Sequence, residues 1–194
     1  METKGEIHIS PKYHKNDYLG LNLRQNSSQE KWNAAVEILR DRIYGRYFNQ
    51  IDMLSADINA NGFTIMALNC LLIETLYQFK EGKKRTPSDN KANYATFLNT
   101  EFPKDFDDQH IAERFYSDIR CGILHSAQTQ NESRLSDCTD KATKLDGTTL
   151  IVSVSRVTQI LKIYFDGYTN KLLDENEFDL RNNFIKKMKY VCRT

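Results

Sequence analysis

Two kinds of apolar segment are missing from this 194-residue sequence, a secretory signal and a membrane-spanning run. The N-terminal stretch METKGEIHISPKYHKNDY is polar and has no apolar centre of the kind that a signal peptide carries. No later stretch reaches the roughly 18 uncharged apolar residues that a transmembrane helix needs. We therefore expect a soluble, cytoplasmic protein that does not bind membranes.

Cysteine is scarce, and its spacing shows no pairs. The four cysteines, Cys70, Cys121, Cys138 and Cys192, form no CxxC motif. In a cytosolic chain of this size thiols are normally reduced. The pattern excludes a disulfide-rich scaffold and a zinc ribbon, and we expect neither a metal nor another cofactor.

An excess of basic charge is also missing. Lys and Arg number 27 and Asp and Glu number 26, which leaves a formal net charge of +1. A protein that coats nucleic acid would be far more basic, so any site for a polyanion must be local. Basic residues do cluster, in a loop (Lys83, Lys84 and Arg85) and near the C-terminus (including Lys186 and Lys187). Such clusters are often only solvated surface, but they can also contact phosphates.

Helical periodicity begins after residues 1–26, which we predict to be an irregular lead-in to a single domain over 27–194. Ser27 and Glu30 have the spacing of a capping box, and the apolar positions that follow predict a helix over 28–49. Asn61 and Gly62 are predicted to break the chain before a second helix, which ends near Gly82. That segment is apolar on nearly every side, as is typical of a helix in the centre of a bundle.

The remaining elements alternate between helix and a short β insertion. A loop over 83–90 precedes a third helix near Tyr94, and Asp107 or Asp108 caps a fourth that runs through residue 128. The Asp146-Gly147 turn and the β-branched run TTLIVSV predict a hairpin between about 132 and 154. Two more helices follow, at about 157–172 and 177–191. The predicted fold is all-α, a bundle of five or six helices with a small β-hairpin insertion.

The segment FYSDIRCGILHSAQ, residues 115–128, holds the pattern R-x4-H in Arg120 and His125. Five residues of ideal α-helix turn a side chain by about 140° and rise about 7.5 Å, so the two residues do not share a face. They can meet through a long arginine reach, an irregularity near Gly122, or a second subunit. The spacing alone also fits an arginine that reaches solvent and a histidine buried in a core.

This motif, late in a helical bundle and after the apolar helix with LLIETL, resembles the HEPN superfamily ("higher eukaryotes and prokaryotes nucleotide-binding"). The resemblance covers roughly residues 28–192 in element order. It implies a HEPN-like fold and a metal-independent endoribonuclease in a bacterial toxin, stress or phage-defence setting, with RNA as substrate and a cognate antitoxin as a possible partner. It also implies a homodimer whose motif helices meet at the two-fold axis, which makes the site composite and a monomer inactive.

Carried over to this chain, the resemblance makes His125 the acid or base and Arg120 the phosphate clamp. Glu74 is costly to bury alone in its apolar helix, so we predict an ion pair with Arg120 that maintains the fold or orients the guanidinium. The basic residues Lys83, Lys84, Arg85, Lys186 and Lys187 are the expected RNA contacts.

One residue departs from the family pattern. Active HEPN nucleases usually have a polar residue after the arginine, commonly Asn, Asp or His, whereas this chain has Cys121, a poor hydrogen-bond partner. The alternative is therefore a non-catalytic HEPN module that binds a nucleotide, RNA or a protein. A third alternative is a toxin that is silenced by nucleotidyl transfer to a tyrosine. Such toxins usually carry this tyrosine two residues after the motif histidine, where this chain has Ala127. Cys121 and His125 share a helix face, but neither a thiol protease nor a metal site has the further residues that it needs.

Overall fold

The computed structural model describes residues 7–86, 90–137 and 140–193. The first six residues of the predicted lead-in, residues 87–89 of the predicted loop and Cys138 lie outside the described residues. Contacts divide the chain into two compact units. As far as each is described, the first comprises Met1–Gln50, Gln78–Arg85 and Phe165–Thr194, and the second comprises Ile51–Tyr77 and Thr86–Tyr164. The single domain over 27–194 stays a prediction.

Helices make up most of the described residues. In chain order the α-helices are α1 (Lys15–Gly20), α2 (Gln29–Ile43), α3 (Asn49–Leu54), α4 (Ile58–Glu81), α5 (Lys91–Glu101), α6 (Gln109–Arg114), α7 (Gly122–Ser126), α8 (Val154–Leu173) and α9 (Phe178–Val191). π-Helical segments lie at Tyr44–Phe48 and Phe115–Cys121, and a 3-10 turn lies at Ser55–Asp57. The strands are β1 (Arg134–Ser136), β2 (Thr143–Asp146) and β3 (Thr149–Ser153). A mostly helical chain with a small β insertion is thus confirmed.

In the first unit, part of the segment predicted to be irregular is folded. It forms α1, and Ile9 and Tyr18 are buried. The capping box predicted at Ser27 is wrong by one residue, because α2 begins after Ser28. A hydrogen bond with the Ser28 side chain lowers the pKa of Glu30, while the Ser27 hydroxyl accepts from the Arg24 N–H at 2.8 Å.

A buried arginine holds the end of α8 in the same unit. Arg181 donates from Nε to the Leu172 carbonyl at 2.9 Å and from Nη2 to the Leu173 carbonyl at 3.2 Å. Its guanidinium lies over the Trp32 ring, 4.5 Å from the ring centroid. The last carbonyls of a helix lack partners within the helix, so this side chain supplies them.

In the second unit, α4 is longer than its sequence predicts. The predicted break at Asn61 and Gly62 is wrong, since both residues lie inside α4. Asn61 Nδ2 donates to the Leu54 carbonyl at 3.0 Å, which ties the preceding turn to the helix. Further along α4, the buried Asn69 donates to Thr158 of α8 at 2.9 Å.

The β insertion of the second unit is a three-stranded sheet in the order β1-β3-β2, rather than a hairpin alone. β2 and β3 form the predicted antiparallel hairpin, with Asp146 opposite Thr149 and Gly147 at a positive φ of 58°. β1 pairs with β3 in parallel. Leu150 and Val152 of β3 are fully buried, so one face of the sheet belongs to the core of this unit.

Within the described residues, one helical stretch, Gln29–Glu81, contains a window that is long and apolar enough to cross a membrane by length and composition. In that window 33% of the residues are buried. The core helix of a soluble protein meets the same criteria. The cytoplasmic location stays a prediction.

Candidate active site

The helix that carries the motif is irregular at the motif itself. It begins at the N-cap Asp108, one of the two predicted caps, whose carboxylate accepts the His110 N–H. α6 then gives way to the π-helical segment Phe115–Cys121, and α7 follows. A π-helical turn is closed by i→i+5 hydrogen bonds and holds more residues than the 3.6 of an α-helical turn. Residues five apart within a π-helical turn are therefore closer to one face than in an α-helix. Arg120 lies in the π-helical segment, and His125 lies in α7.

Arg120, near the end of this irregular segment, and His125 come together within one chain. Arg120 Nη1 lies 3.3 Å from His125 Nε2. The irregularity lies just before Gly122, as one of the three sequence-based explanations requires. The argument that the pair needs a second subunit in order to meet is thus wrong, while the homodimer itself stays a prediction.

The chemistry of the two groups determines which of them can donate in this contact. A guanidinium has only donors, so Arg120 Nη1 donates and His125 Nε2 accepts. A hydrogen bond of this kind requires the ring proton to be on Nδ1. Because His125 is exposed, its ring is open to a substrate from solvent. This places His125 Nε2 next to a fixed positive charge.

Glu74 fixes the other end of the guanidinium. Its Oε2 accepts from Arg120 Nη2 at 3.0 Å, which confirms the predicted ion pair, and the two side chains are only 20% and 17% exposed. Burial lowers the pKa of Arg120, but the hydrogen bond and the negative charge of Glu74 outweigh it, so the pKa lies above its usual value. The guanidinium is therefore permanently charged and held in one orientation.

Two neighbours complete the surroundings of Arg120. The Tyr116 ring lies 5.3 Å from the guanidinium carbon, in cation–π geometry, and burial raises the pKa of its hydroxyl. Cys121 Sγ lies 3.9 Å from Arg120 Nη1. Sequence reasoning missed Tyr116, although its position four residues before Arg120 was a usable signal, since residues at that spacing are neighbours on a helix.

Two buried groups that can ionise, on Cys70 and Tyr94, interact electrostatically with Arg120 and Glu74. Burial raises the pKa of the Cys70 thiol on α4 to about 12 and that of the Tyr94 hydroxyl on α5 well above its usual value. Both groups are neutral at physiological pH and enclosed by protein. Because both are enclosed, neither is placed to act as a nucleophile on a substrate from solvent.

The basic residues predicted to contact RNA belong to the first unit, whereas Arg120 and His125 belong to the second. Lys84, Arg85 and Lys186 are exposed, and Lys83 is half-buried. Lys187 is only 6% exposed, and its ammonium donates to the Lys84 carbonyl at 3.0 Å and to Gln78. An RNA contact by Lys187 is therefore not supported, because its charge is used inside the protein.

The arrangement can move a proton at His125 Nε2 while Arg120 holds an anion beside it. Among the residues that the structure describes, no group of three or more His, Cys, Asp or Glu is placed to hold a metal ion. Support for a function comes from this geometry and from the motif. Comparisons with family models, with curated proteins and with solved structures find no match for this chain.

Proposed function

We propose that this chain is a HEPN-type endoribonuclease that cleaves RNA without a metal ion, with Arg120 and His125 as its catalytic residues. The observation that carries the proposal is the 3.3 Å approach of Arg120 Nη1 to the exposed His125 Nε2. The R-x4-H motif in a mostly helical chain supports it through the family resemblance.

The reaction is an attack of the 2'-hydroxyl of RNA on the neighbouring phosphate. A bond forms between O2' and phosphorus, and the bond between phosphorus and O5' breaks, which leaves a 2',3'-cyclic phosphate and a 5'-hydroxyl. Once the phosphate binds Arg120 Nη1 and releases the His125 Nε2 lone pair, that nitrogen takes the proton from the 2'-hydroxyl, and the protonated ring returns a proton to the departing O5'. Such proton transfer typically contributes about a hundred- to ten-thousand-fold in rate.

Arg120 offsets the charge that develops on the phosphate. Its Nη2 is held by Glu74, so the guanidinium is oriented before the substrate arrives, and its Nη1 faces the proton acceptor. A guanidinium fits two phosphate oxygens and stays charged throughout. Fixed donors of this kind stabilise a transition state without reorganising.

The biological setting belongs to the proposal through the resemblance alone. It comprises a cytoplasmic homodimer that acts on RNA in a bacterial toxin, stress or phage-defence system, with a cognate antitoxin as a candidate partner. The exposed residues Lys84, Arg85 and Lys186 are proposed to add phosphate contacts that weaken as salt increases.

The second candidate is a module that binds RNA or a nucleotide without cleaving it. The charge of the Glu74 carboxylate compensates the Arg120 guanidinium at 3.0 Å, which leaves less positive charge to stabilise a transition state. The binding module is favoured too by Cys121, which offers Arg120 a sulfur at 3.9 Å in place of a stronger polar partner.

Incubation of the purified protein with total RNA in EDTA separates the two candidates. We expect cleavage that persists in the chelator and yields fragments with 2',3'-cyclic phosphate ends. RNA that is bound but stays intact would favour the binding module, and cleavage that disappears on chelation would overturn the metal-independent mechanism.

A further inference from the structure

A buried carboxylate lies two residues before Arg120, and the proposed catalysis does not use it. Asp118 is only 2% exposed. Its Oδ2 accepts from Ser133 Oγ at 2.8 Å and from Arg114 Nε at 3.2 Å, and its Oδ1 accepts from Asn131 Nδ2 at 2.8 Å. A buried charge with this many donors is well compensated. Asp118 therefore joins the π-helical segment to the loop that follows His125.

The backbone of Asp118 makes a second connection to the same loop. Its carbonyl accepts the Gln130 N–H at 2.9 Å. In that loop Asn131 and Glu132 have positive φ angles of 48° and 59°. Left-handed backbone disfavours residues other than glycine, so the surroundings must hold the loop in this shape. Asp118 holds it by accepting hydrogen bonds from the loop with both carboxylate oxygens and with its carbonyl.

The loop packs directly against the helix between the two catalytic residues. An added Cβ at Gly122 would lie 2.5 Å from the Gln128 carbonyl oxygen. α7 ends in the left-handed residue Ala127, whose N–H bonds to the Ile123 carbonyl at 3.1 Å. The position of the loop and the path of the helix from Arg120 to His125 thus depend on each other.

We propose that Asp118 is a positioning residue for the Arg120–His125 pair. By binding Asn131, Ser133 and Arg114, its carboxylate holds the loop against Gly122 and keeps Arg120, at the end of the π-helical segment, within reach of His125 in α7. In a regular α-helix the two residues would lie about 140° apart around the helix axis. The catalytic consequence rests on the proposed function, whereas the positioning of His125 does not.

The test replaces Asp118 with asparagine and follows the His125 ring nitrogens by 15N NMR. The amide keeps the shape of the side chain. Its NH2 group, however, faces N–H or O–H donors whose hydrogen bonds the carboxylate accepts. The matched control is Asp105→Asn, which alters another carboxylate of the same unit. Asp105 is 5% exposed and accepts from Arg156 Nε at 3.1 Å and from the Ala142 N–H at 2.8 Å. These bonds do not involve the motif segment.

We expect Asp118→Asn to move the His125 Nε2 resonance toward its position in Arg120→Ala, and Asp105→Asn to leave it in place. In the cleavage assay, kcat of Asp118→Asn should fall at least tenfold with KM nearly unchanged, and Asp105→Asn should keep the wild-type values. A folded Asp118→Asn variant with the wild-type His125 spectrum would overturn the proposal. If the wild type cleaves no RNA, the proposed function fails, and the NMR comparison still decides the positioning role.

Ser133→Ala keeps the test decisive if Asp118→Asn does not fold. It removes a single hydrogen bond to Asp118, at 2.8 Å, and leaves the buried carboxylate with Arg114 and Asn131. We expect a smaller shift of the His125 Nε2 resonance in the same direction. The wild-type position of that resonance in Ser133→Ala would count against the proposal.

Discussion

Glu74 of α4 and Arg120 of the π-helical segment form an ion pair of 3.0 Å, in which both side chains are mostly buried. The carboxylate occupies Nη2 and so turns Nη1 toward His125. The same carboxylate compensates the positive charge that a phosphate would need. Glu74 therefore favours catalysis by orienting Arg120 and weakens phosphate binding by compensating its charge. Mutation of Glu74 can separate the two effects.

Glu74→Gln should lower kcat and at the same time strengthen RNA binding. The amide keeps one hydrogen-bond acceptor but holds the guanidinium less firmly, and the loss of a negative charge makes the site more attractive to phosphate. We also expect the free energy of unfolding to fall by about 1–3 kcal/mol, since a charge-assisted hydrogen bond is weakened in a mostly buried place. Fluorescence anisotropy with RNA, cleavage kinetics and urea unfolding measure the three effects.

The control for this variant is Glu113→Gln. The Glu113 carboxylate pairs with Lys91 at 3.3 Å, and both side chains are about a third exposed or more. An exposed ion pair contributes little to stability. Similar effects of the two substitutions on RNA binding would show that general charge, rather than the pairing with Arg120, explains the result.

Much of the second unit could be predicted from its sequence. The buried face of α4, the cap Asp108 and the hairpin turn at Gly147 follow from local patterns of apolar, capping and turn residues. The partner of Glu74 followed from the cost of an unpaired carboxylate in an apolar helix. These features depend on residues close in sequence or on a strong energetic requirement.

The features that the sequence did not reveal depend on contacts between distant residues. The π-helical segment is held by a loop that returns to Asp118 and Gly122, and no pattern within residues 115–121 predicts it. The sequence predicts a surface charge at Lys187, because its partner Gln78 lies far along the chain. The three-residue strand β1 is too short to carry a periodic signal.

Gly122→Ala should destabilise the protein and reduce cleavage, although alanine favours a helix. The new Cβ would lie 2.5 Å from the Gln128 carbonyl, so the loop or the helix must move. Overpacking of this kind typically costs about 1–3 kcal/mol. Thermal unfolding and cleavage assays measure both effects.

Gly167→Ala provides the control with the opposite sign. Gly167 lies within α8, and no atom comes within 4 Å of an added Cβ. We expect a stabilisation of about 0.5–1 kcal/mol from helix propensity alone. Equal stabilisation by Gly122→Ala would contradict the close packing of the loop.

Cys121→Asn should increase kcat. An asparagine carbonyl oxygen is a stronger acceptor for Arg120 Nη1 than the sulfur now 3.9 Å away, and asparagine is a common residue at the matching position of the active nucleases that the motif resembles. Cys121→Ser introduces a polar side chain that is shorter than asparagine. It therefore separates the effect of polarity from the effect of side-chain length. If Cys121→Asn is no faster than the wild type, the departure at this position does not limit the reaction.

Light scattering at micromolar concentration should show a homodimer, which the family resemblance predicts. One chain already brings Arg120 to His125, so the dimer would place two such pairs near each other rather than complete either one. If both pairs act on one RNA, as in the composite site that the resemblance implies, specific cleavage activity should fall on dilution below the dissociation constant of the dimer. A monomer with undiminished activity would remove the dimer from the proposal.

His125→Ala should abolish RNA cleavage without unfolding the protein. If the ring transfers the proton of the 2'-hydroxyl, its loss removes an effect of about a hundred- to ten-thousand-fold in rate. The fold should survive because His125 is exposed, whereas Ile119 and Ile123 supply the buried contacts of this helix. Arg120→Ala should also abolish cleavage, but with weaker RNA binding and lower stability, since Glu74 loses its partner. Circular dichroism, urea unfolding and RNA binding distinguish the two variants. Cleavage that persists in His125→Ala would mean that another group moves the proton.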